Sequence, residues 1–139
     1  MSEAPTPRLI AAVAVGGALG ALARWGLTEA FPSDVDAFPW STFGINVLGS
    51  FALALLPAFA VVRRRRDLAV ALGPGVLGGF TTLSAYSEQS RALLDAGRSG
   101  VALVYLAGTL AACLVAVATG DHWSTALERR AFEAEGGDA

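Results

Sequence analysis

Apolar residues occur in four long runs that are separated by short polar segments. A helix of about 20 residues crosses a hydrocarbon core of about 30 Å, and each run approaches or exceeds that length. The pattern therefore predicts an all-α membrane protein with one domain of four transmembrane helices at residues 9–120. A secretory signal peptide is a weaker interpretation of the first run, because that run is rich in glycine rather than leucine. The expected spans are about residues 9–30, 40–62, 68–94 and 101–119, between a disordered leader at residues 1–8 and a polar tail at residues 121–139.

The third run contains the poorest helix-forming stretch in the chain. Four glycines and Pro74, all between residues 73 and 79, precede the β-branched Thr81 and Thr82. Glycine and proline are the least favourable residues inside a helix, so the third helix is expected to be broken in its middle. Broken backbone at membrane depth is tolerated only where protein covers it or where it lines a wet cavity. The break is therefore a candidate site.

Composition supports a membrane protein and excludes several other classes. Hydrophobic residues make up 54% of the chain and charged residues 16%, compared with about a quarter charged in soluble domains. The single cysteine, Cys113, excludes a disulfide framework and a cysteine metal site. The sequence shows no serine–histidine–aspartate set, no paired carboxylates within a span and no phosphate-binding loop, so the chain is not expected to be an enzyme. The basic residues do not form a phosphate-tracking face, and no nucleic-acid partner is expected.

The distribution of arginines predicts the orientation of the chain. Seven of the ten arginines lie before the first span, between the second and third spans or after the fourth, and two lie in the other two loops. Arginine-rich loops stay in the cytoplasm, so both termini are expected to be cytoplasmic in the predominant orientation. The run Arg63 to Arg66 could bind nucleic acid or phospholipid, but four arginines at a helix exit are first a topology signal.

Three classes of membrane protein remain: a channel, a small multidrug-type proton-coupled exporter and a non-conducting structural subunit. A proton-coupled exporter is expected to carry a protonatable side chain deep within a helix. The spans offer only Glu29 and Glu88, and both lie near span ends. This arrangement favours passive conduction.

Three motifs carry a resemblance to a known family. In chain order they are Gly16-Gly17-x-x-Gly20-Ala21-x-x-Arg24, Gly44-Ile45-Asn46-x-x-Gly49-Ser50-Phe51 and Gly78-Gly79-Phe80-Thr81-Thr82-x-Ser84. At this spacing and chain length they resemble the Fluc (CrcB) fluoride channel family. The resemblance implies a fluoride-selective passive channel of the plasma membrane that exports fluoride and relieves its toxicity. It also implies small subunits that pair as an antiparallel dimer, with two pores and one structural sodium ion that is not transported.

The resemblance also implies roles for individual residues. The family's sodium ligands fall on the backbone carbonyls of Gly78 and Thr81, contributed by both subunits. Arg24 lies near the end of the first span and is expected to be structural rather than a gate. Fluoride needs hydrogen-bond donors in place of its water, and hydroxyl and amide side chains in the spans can supply them. Positions 83 and 86 usually hold pore-lining phenylalanines in the family, and this chain departs from that pattern. The expected ion-pathway residues are Asn46, Thr82, Leu83, Ser84, Tyr86, Tyr105 and Thr109.

The charge bias also predicts the kind of partner subunit. An antiparallel homodimer requires one sequence to insert in both directions, which needs nearly balanced charge across the membrane. The bias of seven arginines to two therefore favours pairing with a paralogous subunit of opposite charge bias over a homodimer, although Arg91 and Arg98 give the other side some charge. Such a partner could carry the phenylalanines that this chain lacks. The other expected partners are fluoride and membrane lipid.

Overall fold

The computed structural model describes residues 6–134, and in this range the chain is helical apart from short turns. A 3₁₀ turn at Leu56–Ala58 follows the second helix, and a π-helical segment at Ala71–Leu77 joins the fourth helix to the fifth. The α-helices are α1 (Pro7–Ala30), α2 (Trp40–Leu55), α3 (Ala60–Arg64), α4 (Arg66–Val70), α5 (Gly78–Phe80), α6 (Leu83–Asp95) and α7 (Ser99–Ala134). The stretches long and apolar enough to cross a membrane are Pro7–Ala30, Trp40–Ala58, Arg66–Asp95 and Ser99–Glu128. The predicted all-α fold with four candidate spans is confirmed.

The two ends of the helical region extend further than the sequence predicted. α1 begins at Pro7, because the fixed φ of proline suits the first helical position, so the helix includes the last two residues of the predicted leader. Residues 1–5 of that leader lie outside the described residues. α7 continues as one helix to Ala134, through most of the predicted polar tail, and residues 135–139 lie outside the described residues.

The second span bends near its carboxyl end, which the sequence analysis did not predict. α2 ends at Leu55, and Pro57 lies in the 3₁₀ turn that follows. Proline cannot donate a hydrogen bond to the carbonyl four residues earlier, and its ring clashes with that carbonyl, so the helix is interrupted there. The short helix α3 then carries the chain to Arg64.

The third span is bent and interrupted as expected, and the interruption lies at the threonines that follow the glycine–proline stretch. Residues 71–77 stay helical in a π register, in which the Gly78 N–H bonds the carbonyl of Gly73. This wider register accommodates Pro74 inside the helix. The backbone becomes extended at Thr81 and Thr82 before α6 begins.

Glycines allow α1 to pack directly against the third span. A Cβ atom at Gly16 or at Gly20 would overlap backbone carbonyls of the third span, and one at Gly79 would overlap the backbone of Gly17. Gly16 and Gly20, which form a G-x-x-x-G pair, therefore mark a contact between two helices of the same chain, where small residues let the backbones approach closely.

A small aromatic core lies where α6 and α7 meet the start of α2. Leu93 and Tyr105 are fully buried, and the ring of Phe38 meets the ring of Tyr105 edge-on at 5.3 Å.

The turn between α6 and α7 is closed by Gly97, whose φ of 71° lies in the left-handed region that favours glycine. The tight turn keeps α6 and α7 adjacent, so that residues on both helices can face one groove.

Large apolar side chains cover the outward faces of the helices. Leu19, Leu22 and Leu114 are each more than half exposed in the single chain. In a membrane-spanning protein such faces contact acyl chains or another subunit.

Candidate functional site

The break in the third span is stabilised by an amide from α2. Nδ2 of Asn46 donates to the Thr82 carbonyl at 3.1 Å, and the Thr82 N–H donates to Oδ1 of Asn46 at 2.8 Å. In a continuous helix, that N–H would bond the carbonyl of Gly78, four residues earlier. Asn46 therefore replaces a helical hydrogen bond and satisfies both backbone groups of the residue at the break.

Thr82 then starts the helix that follows. Its backbone is extended, and its Oγ1 accepts a hydrogen bond from the Ala85 N–H at 3.1 Å, as a helix N-cap does. The same hydroxyl lies 3.2 Å from Oγ of Ser84. In a continuous helix, the Ala85 N–H would bond the carbonyl of Thr81. Because it bonds the Thr82 hydroxyl instead, the Thr81 carbonyl loses its helical donor, just as the Gly78 carbonyl does.

The two carbonyls that the sequence analysis assigned to sodium are among those left without a helical donor at the break. The helical donors to Gly78 and Thr81 both bond side chains instead, so both oxygens remain at the broken end of a helix. Both residues also border the groove described below. Hard cations such as sodium are held by carbonyl oxygens of this kind. The donor set fits a sodium ion, and occupancy remains a prediction.

Arg24 contacts the same break from the α1 side. Its Nε donates to the carbonyl of Gly79 at 3.2 Å, and the side chain is only partly exposed. The carbonyl of Gly79 is another of those left without a helical donor where the third span is interrupted. This contact supports the predicted structural role of Arg24.

A surface groove of about 560 Å³ runs along the break, between α2, the third span and α7. Leu83 and Leu110 border it and are 76% and 60% exposed, so the groove lies on the surface of the single chain. Most of its wall is apolar. The lining residues are Asn46, Gly49, Ser50, Leu53, Gly73, Pro74, Leu77, Gly78, Thr81, Thr82, Leu83, Tyr86, Thr109, Leu110 and Cys113.

Thr109 contributes an unsatisfied hydroxyl to the groove. The residue is 4% exposed, and its Oγ1 has no hydrogen-bond partner within residues 6–134. A buried hydroxyl without a partner costs free energy that a bound ligand could recover. Thr109 is therefore the side chain in this wall with the most to gain from an anion.

The remaining predicted pathway residues lie in different surroundings. Tyr86 borders the groove, but its hydroxyl donates to the carbonyl of Leu106 at 2.7 Å. Tyr105 does not border the groove, because it is buried in the aromatic core and its hydroxyl donates to Oε1 of Gln89 at 2.8 Å. Ser84 is exposed beside Thr82 and is also outside the lining set. Of the seven predicted residues, the structure brings Asn46, Thr82, Leu83, Tyr86 and Thr109 together in one wall.

Comparison with known proteins identifies the family. A profile of the family described as "CrcB-like protein, Camphor Resistance (CrcB)" matches residues 11–121, which is most of the chain. The chain belongs to the CrcB fluoride channel family. This result confirms the resemblance inferred from the three motifs, and it agrees with the expectation of a channel rather than an enzyme.

Individual relatives in the CrcB family carry more specific names. A protein from Nocardia farcinica named "Fluoride-specific ion channel FluC 2" is 40% identical over 132 residues, which cover 89% of this chain and 92% of the relative. "Fluoride-specific ion channel FluC 1" from Streptomyces coelicolor is 42% identical, with 78% of this chain and 72% of the relative covered. "Fluoride-specific ion channel FluC" from Thermus thermophilus is 45% identical over 70% of this chain and 80% of the relative.

Sequence reasoning left out of the expected set one residue that borders the groove in this CrcB chain and one that bonds a predicted pathway residue. Cys113 borders the groove, and its spacing of four residues from Thr109 on α7 was a signal that could have added it. Gln89 receives the hydrogen bond from the Tyr105 hydroxyl, and its position three residues after Tyr86 places it on the same side of α6. Neither position has a charge or motif that would have drawn attention to it.

Proposed function

We propose that this chain is a subunit of a fluoride-selective channel that conducts passively and exports fluoride from the cytoplasm. The observation that carries the proposal is the groove, in which isolated hydrogen-bond donors stand in an apolar wall beside a broken helix. The names of the relatives from Nocardia, Streptomyces and Thermus point to the same ion. The function follows the expectation that was drawn from the motifs.

The chemistry of the wall suits a small anion. Fluoride holds its water strongly, so a pore must offer donors that replace that water one at a time. The hydroxyl of Thr109 and the second amide hydrogen of Asn46 are not used by the hydrogen bonds described above. Because the surrounding wall is apolar, each donor is electrostatically stronger than it would be in water. We assign these two groups, together with the Thr82 hydroxyl, to the anion path.

The same wall argues against a proton-coupled exporter. Among the described residues that line the groove, none is an aspartate, glutamate or histidine. Glu88 lies near the end of the third span and forms an ion pair with Arg91 at 2.6 Å, away from the groove lining. Coupling to protons requires a group that gains and loses a proton along the path. Passive conduction is therefore the better proposal.

We also propose that two subunits assemble in an antiparallel dimer that covers the groove. A two-fold axis in the membrane plane would bring the two broken third spans together near the middle of the bilayer. Exposed apolar residues such as Leu83 and Leu110 would then be buried against the second subunit. Pairing with a paralogous subunit of opposite charge bias would allow each chain to keep one orientation, with the termini of this chain in the cytoplasm.

A sodium ion would be held at the junction of the two subunits. The carbonyls of Gly78 and Thr81 from each subunit would supply four oxygens, and the ion would compensate the clustered dipoles of two broken helix ends. Within residues 6–134 no group of three or more His, Cys, Asp or Glu side chains could hold a metal ion. The ligands would therefore be backbone carbonyls, and the role of this chain is to keep those carbonyls free of helical donors.

The decisive experiment is anion efflux from liposomes loaded with potassium fluoride, with the chain reconstituted alone and together with any paralogous subunit encoded beside it. We expect fluoride to leave on addition of a potassium ionophore, without added proton flux. Liposomes loaded with chloride are the control. Chloride flux equal to fluoride flux, or flux that requires a proton gradient, would refute the proposal. Absence of flux in every pairing would instead support a structural subunit.

A further inference from the structure

Two of the arginines between the second and third spans, Arg63 and Arg65, are held in place by acidic side chains. Oδ2 of Asp67 lies 3.1 Å from Nη2 of Arg65 and 3.1 Å from Nη2 of Arg8. Because Arg8 belongs to the start of α1, this shared carboxylate joins the first span to the junction of α3 and α4. We call Arg8 and Arg63 to Arg66 the arginine patch.

A second anchor comes from the fourth span. Nη1 of Arg63 lies 3.4 Å from Oε1 of Glu128, and it also donates to the carbonyl of Pro57. Glu128 is in the part of α7 that follows residue 121, where the match to the CrcB family ends. A topology signal needs only the number of positive charges. Two separate anchors indicate that the patch also has a defined shape.

The patch keeps an excess of positive charge after these contacts. Against the four guanidinium groups of Arg8, Arg63, Arg65 and Arg66, the two carboxylates of Asp67 and Glu128 leave a formal excess of two positive charges. The side chains of Arg8 and Arg65 remain 79% and 58% exposed. Arg66 is exposed as well, and no ion pair of Arg66 is found within the described part of the chain. These groups are available to an external anion.

Neighbouring apolar residues place the patch at the level of lipid headgroups. Phe59 and Val61, just before the arginines, are 50% and 54% exposed, and Trp123 on α7 is 53% exposed. Exposed aromatic and aliphatic side chains at the end of a span lie at the boundary between acyl chains and headgroups. Arginine at this depth extends its guanidinium towards the phosphates.

We propose that the arginine patch binds the phosphate headgroup of an anionic phospholipid. One guanidinium group can bind two oxygens of a phosphate through two parallel N–H groups, a geometry that lysine cannot reproduce. The chain contains arginine but no lysine. The exposed apolar residues that directly precede the arginines, Phe59 and Val61, favour a lipid over free phosphate or nucleic acid, because they offer contacts to an acyl chain. The inference depends on the position of the chain in the membrane and not on the ion that it conducts.

The test counts lipids retained by the full chain in native mass spectrometry after exchange from detergent into mixtures of phosphatidylglycerol and phosphatidylcholine. We expect the wild-type chain to retain phosphatidylglycerol preferentially. Arg8→Gln combined with Arg66→Gln leaves the Arg65–Asp67 pair intact and should weaken that retention by about 30-fold, since each arginine near an anionic surface contributes about a factor of five. The conservative pair Arg8→Lys and Arg66→Lys should lose part of this preference.

The matched control removes two arginines at the other end of the third span. Arg91→Gln with Arg98→Gln deletes the same charge, and there too one arginine is ion-paired and the other is exposed. This variant should retain phosphatidylglycerol as the wild type does. Equal loss in both double variants would reduce the effect to net charge and overturn the proposal. The proposal would also be overturned if the wild type retained both lipids equally. Displacement of phosphatidylglycerol by equimolar inorganic phosphate or by an oligonucleotide would overturn it as well.

Discussion

Replacing Asn46 with alanine tests whether the break in the third span depends on α2. The substitution removes both hydrogen bonds between the amide and the backbone of Thr82. The Thr82 N–H is then free to return to the carbonyl of Gly78, which would extend the helix and occupy a predicted sodium ligand. We therefore expect Asn46→Ala to impair both folding and the response of the dimer to sodium. The sequence analysis assigned Asn46 to the ion pathway, and this prediction adds a structural role to that assignment.

The size of the effect follows from the burial of Thr82. The residue is 8% exposed, so its N–H and carbonyl cannot be rehydrated freely after the amide is removed. Each unsatisfied buried group costs about 1–3 kcal/mol, so the free energy of unfolding is expected to fall by about 1–3 kcal/mol if the N–H returns to Gly78 and by about 2–6 kcal/mol if neither group finds a new partner. Interhelical hydrogen bonds in membranes average about 0.6 kcal/mol, so a loss near 1 kcal/mol would mean that the freed groups find new partners.

Reversible unfolding by SDS in mixed micelles measures this free energy directly. Ser50→Ala is the matched control, because Ser50 lies one turn further along α2 and borders the same groove. It should change the free energy of unfolding by less than about 0.5 kcal/mol. Asn46→Asp keeps an acceptor for the Thr82 N–H but loses the donor to the Thr82 carbonyl, so it should fall between wild type and alanine. If Asn46→Ala unfolds like the wild type and only fluoride flux is lost, Asn46 does not hold the break.

Four further predictions follow from the packing, the break and the charge bias. Arg24→Gln should lower the free energy of unfolding by about 1–2 kcal/mol, while the channel still excludes chloride. If the variant assembles normally but loses anion selectivity, the structural role of Arg24 is contradicted. Gly20→Ala should lower the free energy of unfolding by about 1–3 kcal/mol in the same SDS titration, because the new Cβ atom would overlap the carbonyl of Val76. Gly26→Ala is the control and should leave this free energy unchanged, because no described atom from elsewhere in the chain lies within 4 Å of its Cβ position. Gly78→Val and Thr81→Pro should lower the dimer fraction in detergent and remove its sodium dependence, and an unchanged dependence would exclude these carbonyls as ligands. A topology reporter on the chain expressed alone should show one dominant orientation, and equal populations accompanied by fluoride efflux would show that a homodimer suffices.

The sequence alone determined the four candidate spans, the interruption of the third and the family. These properties depend on local composition, since about 20 consecutive apolar residues suffice to identify a span and clustered motifs identify relatives. The same patterns pointed to Asn46 and the threonines, because polar side chains are costly within a membrane and stand out there. The short groups of polar residues in otherwise apolar runs were therefore the most informative part of the sequence.

Only the tertiary structure decided where the third span opens and which polar groups share one wall. Local propensity favoured unwinding at the glycines and Pro74, yet that stretch stays helical because it packs against the glycine face of α1. The chain opens at Thr82 because Asn46, 36 residues earlier, supplies hydrogen bonds that compete with the helix. Tyr105 and Thr109 lie on one face of α7, but Tyr105 is buried in the aromatic core whereas Thr109 lines the groove. Such choices depend on partners distant in the chain, and local sequence patterns do not encode them.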